Sequence, residues 1–188
     1  KKLSIHQSLR HIEKFSLHTF IITVGTPLNN KKKVRTDMIK RATKEICKSM
    51  ADNSLIILRS TVKVGTTNNL VSPILKTSGR PFSLSFCPER TLEGDALAEL
   101  EYLPQIIGGI DKKSVNKSRS IFRKITKETI EVSNVETAEM IKLVDNTSRD
   151  LFFAYSNEIA YLSDHFGSNI NEIINAGKKN YKRTKNNH

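Results

Sequence analysis

An α/β fold is what this sequence predicts: a doubly wound parallel sheet followed by one long helix. Three observations carry the prediction. Short runs of β-branched and aromatic residues stop at Gly, Pro or Ser-Thr, as strands buried on both faces do. Helical periodicity fills the stretches between them, and strands alternating with helices at this spacing form parallel sheets. From Val135 the alternation gives way to a single helical period.

Taken in order, residues 3–14 read as an amphipathic helix with Leu3, Leu9 and Ile12 apolar. Thr19 to Val24 is a strand buried on both faces, stopped by Gly25-Thr26-Pro27. Residues 36–51 carry Met38, Ile39, Ala42, Ile46 and Met50 at helical spacing. Cys47 is in register with Ile39, Thr43, Ile46 and Met50, which makes it a small buried hydrophobe. Ser54 to Leu58 is a second buried strand, ending at Ser60-Thr61. Gly65-Thr66-Thr67 opens a helix to about Leu75, with hydroxyls available to cap it. Phe82 to Phe86 alternates as a strand, and Cys87-Pro88-Glu89 ends it. Gln105 to Gly109 is a strand closing on glycines, Asp111 caps a helix to about Ile125, and Thr129 to Val132 is a last strand.

Beyond Val135 there is no proline, and no glycine until Gly167. Met140, Val144, Thr147, Leu151, Tyr155, Leu162 and Phe166 mark one face of a helix about 30 residues, or 45 Å, long. Such a helix bridges domains or forms an interface. Asn169 to Ala176 reads as a short helix ending at Gly177.

The 188 residues, 37% hydrophobic and 27% charged, suffice for one core and part of a second. No apolar run has the length of a membrane span, so no membrane partner is expected. No signal peptide is read at the start, which predicts a cytoplasmic protein. The charge is 31 − 19 = +12. Its clusters, Lys31-Lys32-Lys33 and Lys178, Lys179, Lys182, Arg183 and Lys185, have few aromatics beside them and no nucleic-acid motif. Solvated lysine is the reading, and no nucleic-acid partner is expected. Cys47 and Cys87 have neither disulfide-framework nor zinc spacing, and no metal is expected.

In an open parallel sheet, ligands collect outside the strands' carboxyl ends. Val24-Gly25-Thr26-Pro27, Ser60-Thr61-Val62 and Cys87-Pro88-Glu89-Arg90 all belong to that edge. Alone, a Ser-Thr pair is as well a turn or a cap, but Glu89 puts a carboxylate at the crevice. Lys142 and Asn146, four apart, share a helix face, where an ammonium and an amide can grip an oxygen gaining negative charge. The plainer reading is a surface ion pair of Glu139 with Lys142.

The set decides between them. Val24-Gly-Thr-Pro27, Ser60-Thr-Val-Lys-Val-Gly-Thr-Thr67, Cys87-Pro-Glu-Arg-Thr-Leu-Glu-Gly94, Pro104-Gln-Ile-Ile-Gly-Gly109 and Ala138-Glu-Met-Ile-Lys-Leu-Val-Asp-Asn146 occur in order, with Asn157-Glu158 and Asn171-Glu172-Ile173 after them. From about Phe20 to Arg183 the chain closely resembles the UDP-glucose/GDP-mannose dehydrogenase family. The resemblance implies a Rossmann-like fold and NAD-dependent, two-step oxidation of a sugar's C6 alcohol to a carboxylate, with two NAD molecules used. A cysteine thiolate attacks the intermediate aldehyde, and water releases the acid from the thioester. The Pro-Glu-Arg segment looks most like the branch acting on UDP-N-acetyl sugars. UDP-N-acetylmannosamine is therefore expected ahead of UDP-glucose, as a precursor for surface polysaccharide.

Carried over, Thr61 matches a threonine that positions water, Glu89 an active-site glutamate, Lys142 the lysine that stabilises negative charge, and Asn146 its amide partner. Arg90, Leu92 and Glu93 join Glu89, Lys142 and Asn146 in the implied substrate site; other members have proline in place of Glu93. Val24, Thr26, Pro27, Ser60, Thr61 and Glu89 match the cofactor side. By resemblance, 1–133 is the C-terminal part of the NAD-binding domain, 134–177 the central helix and helical dimerisation region, and 178–188 a basic tail leading towards a UDP-binding domain. A homodimer is implied. The family's Gly-x-Gly-x-x-Gly is absent, and its nucleophilic cysteine follows a Tyr-x-Arg element matched by Tyr181-Lys182-Arg183, so the expectation is a fragment of a longer enzyme. Cys87 is expected to be packing. Two other readings are a hydroxyacid dehydrogenase, which does not predict the Pro88-Glu89 to Gly94 segment, and a non-catalytic basic binding module.

Overall fold

The computed structural model describes residues 3–7, 9, 18–92 and 94–179. They fall into two compact units, Lys1–Leu143 and Val144–His188.

The first unit is built on a five-stranded sheet of β1 (Thr19–Ile22), β2 (Ser54–Leu58), β3 (Phe82–Phe86), β4 (Gln105–Gly109) and β5 (Thr129–Glu131), in that spatial order. β1, β2 and β3 run parallel, with Ile22 opposite Leu58 and Leu58 opposite Phe86. β4 pairs antiparallel to β3 through Ser85–Gly109 and Phe86–Gly108, and β5 is parallel to β4. The sheet is thus parallel-dominated, with one reversal that the strand-and-helix alternation does not announce.

β2 is buried along its whole length because both its edges are paired and both its faces are covered. Ile56 and Leu58 meet Ile39 and Ile46 of α1 (Asp37–Ser49), with Val71 and Leu75 of the next helix. That helix opens as a π-helical stretch, Thr67–Val71, and continues as α2 (Ser72–Lys76). Leu55 and Ile57 face the other way, towards Val115 and Phe122 on one side of the sheet. β1 differs from its expected burial on both faces. Phe20 and Ile22 are buried, whereas Ile21 is 48% exposed.

A short helix unforeseen in the sequence, α3 (Ala96–Tyr102), precedes β4. After β4, α4 (Lys112–Phe122) carries Val115 and Phe122 and is capped, as expected, by Asp111, which accepts from Ser114 N at 2.7 Å. It stops at Phe122, short of Ile125. Small residues let it lie close to the sheet. Ser83, Ser85, Ser114 and Ser118 are fully buried, and Ser114 Oγ accepts the Leu84 N–H at 3.0 Å. A Cβ on Gly109 would come within 2.6 Å of Val115 Cγ2.

Of the helix expected over 3–14, Leu3 to Gln7 are not helical and Leu9 packs against the core. The rest, Ile12 included, lies outside the described residues, as do Glu93 and the tail from 180 with Tyr181-Lys182-Arg183.

α5 (Val135–His165) has the predicted length, at 31 residues, and its C-terminal part enters the second unit. There Leu151, Phe152, Phe153, Tyr155, Tyr161 and Phe166 are exposed. α6 (Ile170–Lys178) follows, capped by Asn169, whose side chain accepts from Asn171 N at 2.9 Å; it runs through Gly177 instead of ending there.

Candidate active site

Backbone pairing continues one residue past the parallel strands. Arg59 N donates to Ile22 O at 2.9 Å and Cys87 N to Leu58 O at 3.0 Å, so the three strand ends leave the sheet in register. The loops that follow are tied together. Thr26 Oγ1 donates to Thr61 O at 2.7 Å, and Ser60 Oγ donates to Val24 O at 2.6 Å. Both hydroxyl protons are spent on this link, so towards a ligand Thr26 and Ser60 act as acceptors, beside the backbone and the Thr61 side chain. Arg35 N closes the Pro27 turn at 2.9 Å onto Pro27 O.

Glu89 stands at the same edge, and its carboxylate is held from two sides. Its Oε1 accepts Arg90 N at 2.9 Å and Thr91 N at 3.0 Å, while the Arg59 guanidinium pairs with the other oxygen. Arg59 is itself buried, lying 5.1 Å over the Phe122 ring and donating to Gln105 Oε1 at 2.8 Å. Gln105 Nε2 donates in turn to Pro88 O at 3.1 Å and Ile106 O at 2.9 Å. Because β4 is antiparallel to β3, its first residue lies at the edge where β3 ends, which is how Gln105 reaches Pro88. Partial burial pushes the Glu89 carboxyl up, but the Arg59 hydrogen bond and charge and the Thr91 N–H outweigh it and hold it below the ordinary glutamate value. Glu89 is an ionised acceptor at neutral pH.

The loop after Glu89 is anchored by the unforeseen α3. Glu99, buried, accepts the Leu92 N–H and, at 3.3 Å, the Tyr102 hydroxyl. Pro88, Glu89, Thr91, Glu99, Leu103 and Gln105 line a small cleft here, with Arg90 beside them. Leu92 is exposed. Lys142 is not among the lining residues; it stands half-buried on α5, and Asn146, also half-buried, belongs to the second unit.

Glu139 is not a surface partner of Lys142. It is fully buried and accepts Gly65 N at 2.6 Å, Thr67 N at 2.8 Å and Thr67 Oγ1 at 2.6 Å. Burial raises its carboxyl above the ordinary value, against the hydrogen bonds from Thr67 and Gly65. The expected Thr caps are likewise replaced: Thr66 Oγ1 donates to Lys63 O at 2.6 Å, and Thr67 turns to Glu139. Gly108 seats the start of α5 against the sheet, since a Cβ there would lie 2.5 Å from Asn134 O and 2.8 Å from Ala138 Cβ.

Neither cysteine is an available nucleophile. Cys87 is buried, and burial pushes its thiol up to about 12 despite Arg59 and Ser118. Burial also raises Cys47, whose thiol donates to Ile74 O at 3.3 Å. No group of metal-ligating side chains occurs among the described residues, and none of the described helices is long and apolar enough to cross a membrane.

Arg59, Gln105, Glu99 and Glu139 were not picked out as site residues by their sequence positions. Arg59 had one signal, a cation abutting both a fully apolar strand and Ser60-Thr61. Gln105 had another, a polar residue opening an otherwise apolar strand.

The chain is similar to known proteins in sequence and in fold. Residues 1–126 match the NAD binding domain of the UDP-glucose/GDP-mannose dehydrogenase family, and residues 136–187 match that family's central domain. The UDP-N-acetyl-D-mannosamine dehydrogenase of Methanococcus aeolicus is 35% identical over 85% of the chain, which spans 37% of that relative's length. Among solved structures, the UDP-D-ManNAc dehydrogenase of Pyrococcus horikoshii superposes with a TM-score of 0.81 at 32% identity, covering 88% of this chain and 40% of that one. The UDP-N-acetyl-mannosamine dehydrogenase of Staphylococcus aureus gives 0.77 at 31% identity, covering 86% and 41%.

Proposed function

The chain belongs to the UDP-glucose/GDP-mannose dehydrogenase family, and from that premise we propose that it carries reacting-end residues for NAD-dependent oxidation of a UDP-sugar at C6. UDP-N-acetylmannosamine is the favoured substrate and UDP-glucose the next, with a uronic acid for surface polysaccharide as product and the cytoplasm as location. A homodimer through the long helix is part of the proposal.

Converting a primary alcohol to a carboxylate removes two hydrides and takes up one water oxygen. The site must therefore oppose negative charge on the C6 oxygen and orient a water. Lys142 is assigned the first, with Asn146 four residues on along the same helix as its amide partner, groups of the kind that stabilise developing negative charge. Thr61 and the ionised Glu89 supply the second, as hydrogen-bonding groups for water and for the reacting end of the sugar. Arg90 and Leu92 are assigned to the sugar as well.

The ledge of Val24, Thr26, Pro27, Ser60 and Thr61 suits the nicotinamide half of NAD, because its loops are cross-linked at the carboxyl ends of parallel strands. Bound there, NAD supplies a hydride acceptor. The sequence contains no Gly-x-Gly-x-x-Gly for a pyrophosphate. Cys87 and Cys47 take no part in the proposal, since burial keeps both thiols protonated.

The observation that carries this reading is Glu89 held charged by Arg59 beside the ledge. Chemical-shift mapping on the labelled chain tests it. NADH should perturb Val24, Thr26 and Ser60, while UDP-N-acetylmannosamine should perturb Glu89, Arg90 and Lys142 more strongly than UDP-glucose does. Perturbation confined to the lysine clusters, or none, would defeat it.

A further inference from the structure

Glu139 is a fully buried carboxylate that the proposed chemistry does not use. We propose that it is a positioning residue: it clasps the Gly65–Thr67 turn to the first turns of α5 and so fixes the Ser60–Thr61 segment with respect to Lys142. This rests on the reading that Thr61 and Lys142 serve one reaction.

The geometry is that of a cap supplied from afar. A helix start leaves N–H groups without intrahelical partners, usually met by a nearby Ser, Thr or Asp. Thr66 and Thr67 stand at this start, yet neither hydroxyl caps it. A carboxylate more than 70 residues on accepts both the Gly65 and Thr67 N–H groups and the Thr67 hydroxyl. Gly65 makes the turn possible: its φ is +87°, and a Cβ there would meet Asn69 Nδ2 at 2.7 Å.

Burying a charge for capping alone is costly when a local hydroxyl would serve. What the distant carboxylate adds is a fixed distance between two segments. Gly108 fixes α5 from the sheet side through Asn134 and Ala138, and Glu139 fixes it from the loop side. Lys142 follows three residues later, its Cβ about 5–6 Å from that of Glu139 on a helix. The segment leading into the clasp begins at Ser60-Thr61, already pinned to Val24 and Thr26.

The test is Glu139→Gln in the isotope-labelled chain. The two N–H groups use different carboxylate oxygens, and an amide replaces one of these by an NH2 donor, so the Gly65–Thr67 turn loses an acceptor and its amide hydrogens should exchange about tenfold faster or more. Ile56 and Leu84 should keep their protection, and the methyl signals of Thr61 and Val62 should shift. NADH affinity should fall roughly tenfold, and combining the change with Thr61→Ala should cost less than the two separate losses together, because both act through one segment. Thr67→Val removes one donor and should give a smaller change in the same direction, which covers the case of a Glu139 variant that does not fold. If Gly65 and Thr67 loosen while Thr61 and Val62 stay unmoved, or if the NADH penalties add, Glu139 is only a helix cap and the proposal is overturned. An unaltered chain that fails to bind NADH overturns the dehydrogenase reading instead, and the exchange and methyl results still decide for Glu139.

Discussion

Arg59 shows how a residue can govern a site without being legible as part of it. Glu89 stood out in the sequence because a carboxylate after a strand and a proline is held at an edge. Its partner was hidden, since Arg59 is 30 residues from Glu89 and 46 from Gln105, and only the fold brings the three together. Glu139 misled for the same reason. Its spacing from Lys142 suggested a surface pair, and periodicity alone does not say that Val135, Ala138 and Glu139 face inward while Met140 and Val144 face out. For Glu89 the sign is definite. With its folded pKa below the ordinary 4.5, its ionised form favours the fold above that pH, and the contribution disappears as pH falls through the folded value. The side chain is 43% exposed, so solvent screens the effect on stability and keeps it small. Replacing Arg59 by Met removes the cation and keeps the partial burial. The Glu89 carboxyl should then titrate at higher pH, with Arg59→Lys in between, as followed by carbon NMR of the side chain. A titration curve that does not move would show that Arg59 does not set the charge.

At the scale of elements, what the sequence revealed was local and what it hid was the company each element keeps. β2 was readable as buried on both faces, and it is, having strands on both sides and apolar clusters on both faces. The Thr19 to Val24 run looked the same in composition, yet β1 has one described neighbour, β2, and leaves Ile21 half exposed. The reversal at β4 was equally unreadable, because an apolar run carries no direction. α3 escaped notice because it is only seven residues long and one of its two leucines, Leu97, is exposed, so no apolar face repeats over several turns. This contrast is measurable. Ile57→Ala should destabilise the first unit by about 2–5 kcal/mol in denaturant unfolding, the usual cost of emptying a packed site. Ile21→Ala should cost less than about 1 kcal/mol if its side chain stays as exposed as it is in this structure. Equal losses at the two positions would mean that something covers β1 on its open face.

For the molecule as a whole, charge and apolar surface point in different directions, and the apolar surface is the more informative. The +12 charge is spread over lysines such as Lys31, Lys32 and Lys33, all exposed and without a flanking aromatic platform. The second unit, by contrast, leaves Leu151, Phe152, Phe153, Tyr155, Leu162 and Phe166 in water on one helix and its end. Monomers seldom expose contiguous apolar patches beyond a few hundred Å², and Leu151, Tyr155, Leu162 and Phe166 follow one side of the helix and its end over about four turns. The periodic stripe foresaw Leu151, Tyr155, Leu162 and Phe166; Phe152 flanks it, while Phe153 lies on the far side of the helix. A second copy is the partner proposed above, and a two-fold interface would set the same stripe on itself. Sedimentation at increasing concentration should give twice the chain mass, and Tyr155→Asp with Leu162→Lys should return it to one. Amide exchange in β2 should stay unchanged in that variant, because the core of the first unit lies within Lys1–Leu143. A chain that sediments as a single copy with the stripe intact would assign those side chains to a different partner.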